Sequence, residues 1–157
     1  MKLIKKALWL VLIVFIIAQF FRPEKNTGNS ITINEFLEDT NPPEQVQAIL
    51  KTSCYDCHSD NTEYPWYSQI TPVNFWMAEH IDNGKKHLNL SKWNSYSVKK
   101  KDHKIEELIE VVEDKSMPLE SYTWAHAEAK LSEAEIESVK EWAQNLRIKY
   151  SLMAKPE

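Results

Sequence analysis

Glycine and cysteine are the scarcest residues of interest in this 157-residue chain, with two of each. So little glycine leaves few of the tight turns that β-rich folds require, and plentiful Glu, Lys, Leu and Ala favour helices. Basic runs are scarce as well. The net charge is −4, and three of the nineteen basic residues (Lys2, Lys5 and Lys6) precede the first apolar run, so the remainder is more acidic still. No basic stripe is long enough to neutralise a phosphate backbone, which argues against a nucleic-acid partner. Internal repeats are absent too. One compact domain with appendages fits this length.

Only one long apolar run occurs. Ala7 to Phe21 is fifteen residues with a single polar member, Gln19, preceded by lysines and closed by Arg22-Pro23. It covers about 22 Å as a helix, and Leu3 and Ile4 extend it toward a hydrocarbon core of about 30 Å if Lys5 and Lys6 snorkel. The end of the run lacks the small residues of a cleavage site, so residues 1–21 read as an uncleaved, single-pass transmembrane helix rather than a cleaved signal. Lysines before the span predict a cytoplasmic N-terminus, with the rest of the chain outside the bacterial inner membrane, in the periplasm.

Residues 22–42 are polar and without sustained periodicity, and they read as a tether. The globular domain is expected over 43–150, followed by a tail, 151–157. Pro43 suits a first helical turn, and Val46, Ile49 and Leu50 form one face of a helix running into Cys54. A second helix is expected after Thr71-Pro72, with Phe75, Ala78 and Ile81 inward and an end near Gly84. Residues 85–97 read as a loop. Ser97 can cap a third helix bearing Ile105, Leu108, Ile109 and Val112. Ser132 and Glu135 form a capping box for the last helix, lined by Ile136, Val139, Ala143, Leu146 and Tyr150. The expectation is an all-α bundle of about four helices with long aromatic loops. Six Trp and six Tyr, several in those loops, suit packing around a group that is not protein.

The chemistry concentrates in Cys54-Tyr55-Asp56-Cys57-His58, a C-x-x-C-H sequence that uses both cysteines. In c-type attachment two thiols add to the two vinyl groups of haem, and the adjacent His ligates the iron. The alternatives are weaker. A disulfide would close a four-residue loop and leave His58 unexplained. A thioredoxin-like pair wants a preceding strand. A zinc site wants two closely spaced histidines, but six residues separate His80 from His87.

The chain resembles the bacterial haem-binding domain family of cytochrome c type, often found behind an N-terminal anchor. SCYDCHSDNTEYPWYSQITP at 53–72, HLNLSKWNSYS at 87–97, MPLESYTWAHAEAKLS at 117–132 and Glu-Trp-Ala at 141–143 carry the resemblance, over about residues 43–147. It implies one covalent haem c on a cytochrome-c-like scaffold, and no particular reaction. Where the family often reads Met-Pro-Pro, this chain has Met117-Pro118-Leu119.

Met117 is the leading candidate for sixth ligand, since Pro118 stiffens its backbone and a thioether favours ferrous iron. It could instead fill a core gap. His126, His80, His87 or an open position are the alternatives, and His126 could also meet a haem carboxylate. Trp66, Tyr67 and Tyr122, with Trp76 and Trp124, are candidate pocket walls. Lys99, Lys100, Lys101 and Lys104 could dock an acidic redox partner or simply be a wet helix face. The reading is an electron carrier more than an enzyme, moving single electrons between partner proteins. An open-site haem protein, gas sensor or peroxidase-like, is the rival.

Overall fold

A computed structural model of the chain describes residues 1–28 and 32–154. The described residues are helical, with α1 (Lys2–Ala18), α2 (Thr32–Thr40), α3 (Glu44–Ser53), α4 (Tyr55–His58), α5 (Val73–His87), α6 (Val98–Glu113), α7 (Glu120–Thr123) and α8 (Glu133–Met153). Short 3-10 turns lie at Trp66–Gln69, Leu90–Ser95 and Ala127–Ala129. The only pairing of extended backbone described is an isolated bridge between Thr27 and Asn61.

The capping signals work as their chemistry requires. The Ser97 side chain accepts from the Lys100 N–H, and Ser132 and Glu135 cap α8 reciprocally. The α8 face of Ile136, Val139, Ala143, Leu146 and Tyr150 is buried, with Trp142, and packs on Ile105 and Val112 of α6 and on Val46, Ile49 and Leu50 of α3. These residues form one core.

Four expectations need correction. The transmembrane helix is the first: α1 has 17 residues, about 25 Å, and no helix among the described residues is long and apolar enough to cross a membrane. Its apolar side chains from Leu8 to Ile17 are nevertheless exposed, with no protein over them. Gln19 joins it to the domain, donating to the Thr71 carbonyl at 3.2 Å and accepting from the Thr71 N–H at 2.9 Å.

Second, the segment read as a tether contains α2. Phe36 is buried against Trp93 and Trp142, and Asp39 accepts from Trp93, Tyr150 and Lys101. Third, residues 85–97 are not simply a loop. α5 runs on to His87, and the next turn drives Trp93 into the core at 0 % exposure. That aromatic loop residue packs on protein. Fourth, Phe75 faces out, because Asn74 and Ile81 take the buried side of α5, Asn74 donating to Thr71 Oγ1 at 3.0 Å.

Candidate functional site

Cys54 ends α3 with φ −128°, breaking the helix so that α4 restarts as the single turn Tyr55–His58. Backbone N–H groups of Cys57 and His58 both reach the Cys54 carbonyl. One of the chain's two glycines presses on this turn and the other on Asp60, just beyond it. A Cβ on Gly84, inside α5, would stand 2.6 Å from the Cys57 carbonyl oxygen, and one on Gly28 would stand 2.5 Å from that of Asp60. Real Cβ contacts do not come so close. Gly84 is therefore not the helix cap expected from the sequence but the point where α5 and α4 touch.

His58 Nδ1 lies 2.9 Å from the Leu88 carbonyl oxygen. A carbonyl can only accept, so Nδ1 carries the proton and Nε2 of the neutral ring keeps its lone pair. Burial draws the imidazole pKa down, favouring that neutral form against the raising effect of the Leu88 and Gly84 carbonyls. Leu88 is fixed in turn by its N–H to Gly84. Beyond it, Asn89 donates to Asp60 at 3.0 Å, and Ser91 accepts from the Asp60 N–H at 3.0 Å. The proximal loop and the motif thus hold each other.

Both cysteines are free and half-buried. Burial pushes the Cys54 thiol up to about 12 and the Cys57 thiol up to about 11, so both stay protonated near neutral pH.

His58 and Cys57 open onto a cavity of about 590 Å³, and Met117, brought in by the turn between α6 and α7, lines the same cavity. Leu108 and Val111 of α6 supply apolar wall, and Tyr122 and His80 close it. A smaller apolar recess adjoins it, sharing Cys57, His80, Leu119 and Tyr122 and adding Tyr67, Trp76 and Ile81. The main cavity falls in the range of roughly 300–1,000 Å³ typical of cofactor sites. An imidazole with a fixed tautomer, a thioether, the free Cys57 thiol and an apolar wall fit a haem, while Cys54 lines neither space and packs against the hydrophobic core.

The other sequence candidates divide. Tyr122 donates to Asp56 Oδ2 at 2.8 Å and stacks on His126 at 4.4 Å, and Tyr67 Oη lies 2.7 Å from His126 Nε2. The Asp56 carboxylate and burial both disfavour ionised Tyr122, so its pKa is pushed well up. His126 belongs to this network and does not line the cavity holding His58 and Met117. Trp66 is 77 % exposed and lines neither space, and Trp124 is as exposed. Both therefore fail as walls. The lysine run is divided too: Lys101 turns in to Asp39 and Lys104 to Glu107, with side chains 12 % and 14 % exposed. Among the described residues no three His, Cys, Asp or Glu side chains gather as a metal cluster, so a zinc site does not assemble around Cys54 and Cys57.

The family model described as "Haem-binding domain" matches residues 13–145. The chain belongs to this haem-binding family. Haem is accordingly its cofactor. The match begins inside α1 and takes in α2, whereas the resemblance read from the sequence begins at residue 43; the burial of Phe36 gives the physical reason for counting α2 in the unit. No curated protein and no solved structure matches the chain.

Sequence reasoning missed the Leu88 carbonyl, the Gly84 contact and the Tyr122–Asp56 bond. The first is a backbone acceptor and carries no side-chain signal. The second was hidden because Gly84 reads as the end of a helix.

Proposed function

We propose that this is a single-haem c-type cytochrome that moves one electron at a time between partner proteins. The observation that carries the reading is the sharing of one cavity by His58, with its tautomer fixed, Met117 and Cys57. Haem, when bound, supplies a one-electron iron couple.

The chain's own residues do the rest. His58 offers Nε2 as the fifth ligand. The Cys54 and Cys57 thiols would hold the haem covalently, each adding S–H across a vinyl group, sulfur to one carbon and hydrogen to the other, to give two thioethers. Met117 offers its sulfur as the sixth ligand. Leu108, Val111 and Tyr122 exclude water, which favours the less charged ferrous state. Attachment needs reduced thiols outside the cytoplasm. The lysines and exposed apolar residues of α1 support export and a place for the domain at the outer face of the inner membrane.

The test is expression with c-type maturation machinery, followed by acid–acetone extraction and denaturing electrophoresis. Haem should stay with the protein and should be released in the Cys54→Ser, Cys57→Ser double variant. Extractable haem in the wild type would sink covalent attachment and leave only haem binding.

A further inference from the structure

We propose that Lys104 is the binding partner for a carboxylate of the haem, an assignment that rests on the cavity above being the haem site. Haem has two chemically different edges: one carries its two carboxylates, the other its vinyl-derived carbons. Cys57, which would meet the vinyl edge, lines both the main cavity and the apolar recess beside it. Alongside the N-terminal half of α5 lies the apolar recess with Trp76, Ile81 and Leu119. From Trp76 to His87 the helix rises about 16 Å, the scale of the ligand itself. The main cavity adds polar lining, with Asn83 and His87 from the last turns of α5 and Lys104 and Glu107 from α6.

Lys104 is the fixed cation of that lining. Its ammonium lies 2.6 Å from Glu107 Oε2, and its side chain is 14 % exposed against 40 % for Glu107. Glu107 has a second partner on the same helix, since His103 Nε2 stands 3.2 Å from Oε1. A haem carboxylate entering the cavity can therefore take over Lys104 while Glu107 turns to His103 and water. The other acids facing the cavity do not block this exchange. Asp56 is held by Tyr122 and the Glu63 N–H, and Glu110 is exposed to solvent. Lys104 thus selects for a free-acid porphyrin.

The experiment titrates the full-length apoprotein with haemin and with haemin dimethyl ester, which lacks both negative charges. Wild type should prefer haemin by about tenfold, the worth of one charge-assisted hydrogen bond. Lys104→Gln should bring the ratio near one by weakening haemin alone, and Lys104→Arg should keep the preference. Glu107→Gln, which removes the competitor without touching the cation, should increase it. Equal loss of both porphyrins in Lys104→Gln, with no gain in Glu107→Gln, would overturn the assignment. Binding of neither porphyrin by the wild type would overturn the haem site and the assignment with it.

Discussion

Gly84 lies so close to Cys57 that a Cβ there would sit 2.6 Å from the Cys57 carbonyl oxygen and 3.1 Å from its Cβ. In an ordinary helix interior Gly→Ala gains about 1 kcal/mol. Here the added carbon meets backbone that cannot step aside without moving α4, so the sign reverses. Gly84→Ala should destabilise the protein by about 1–3 kcal/mol, a typical overpacking cost. It should also disturb the His58–Leu88 hydrogen bond, since Leu88 hangs from the Gly84 carbonyl. Denaturant unfolding of the apoprotein gives the first quantity. Haem affinity gives the second, and a stabilised Gly84→Ala would refute the contact.

The axial position of His58 rests on one backbone acceptor, and this makes a second prediction. His58→Met should leave the fold intact, because the half-buried ring meets only backbone carbonyls, those of Leu88 and Gly84. It should nevertheless remove the lone pair that Nε2 directs at the cavity, so that absorption of the haem-loaded variant lacks the imidazole-ligated low-spin pattern. Adding free imidazole should restore part of it. A His58→Met spectrum identical to wild type would show that another residue is the ligand.

How far the sequence reaches can be seen in these two residues. Spacing singles out Cys57 and His58, and Met-Pro after a helix singles out Met117; the fold brings all three to one cavity. Leu88 carries no such signal, since its role belongs to a carbonyl that any residue supplies. α2 lay within reach: Ile33, Phe36 and Leu37 fall at i, i+3, i+4, but the polar residues around them masked a helix of only nine residues. The inward turn of Lys101 and Lys104 had no signal at all. It depends on which face of α6 meets α2 and the cavity, which only the tertiary packing decides.

Asp39 supports a prediction about acid. Burial raises its pKa, but hydrogen bonds from Lys101, Lys149, Tyr150 and Trp93 together outweigh it and hold the carboxyl well below the usual range. A pKa lower in the folded than in the unfolded chain means stability that is complete above the unfolded value of about 3.9 and is lost as pH falls below it. Asp39→Asn should therefore cost about 1–3 kcal/mol near neutral pH, with the difference from wild type shrinking below about pH 4. Urea unfolding at several pH values measures this. Parallel stability curves for the two proteins would show that the four donors contribute nothing electrostatic.

Met117 separates the electron carrier from its rival. It reaches the cavity from the turn after α6, where its N–H is bonded to the Val111 carbonyl at 3.0 Å. That bond ties the Met117 backbone to the end of α6, and the side chain lines the cavity that His58 also lines. With its sulfur on iron, both oxidation states should be low-spin, and the ferric form should show weak long-wavelength sulfur-to-iron absorption. Reduced protein should then take up carbon monoxide slowly, because a bonded ligand must leave first. Met117→Ala should abolish the band, lower the reduction potential and speed carbon monoxide binding. His126→Ala should do none of these, since His126 is engaged with Tyr67 and Tyr122 outside that cavity. His80 and His87 line the same cavity and are the remaining competitors, so His80→Ala and His87→Ala belong in the series. A band that survives Met117→Ala but not one of these would move the sixth ligand to that histidine. Rapid carbon monoxide binding by the wild type would favour an open-site haem protein instead.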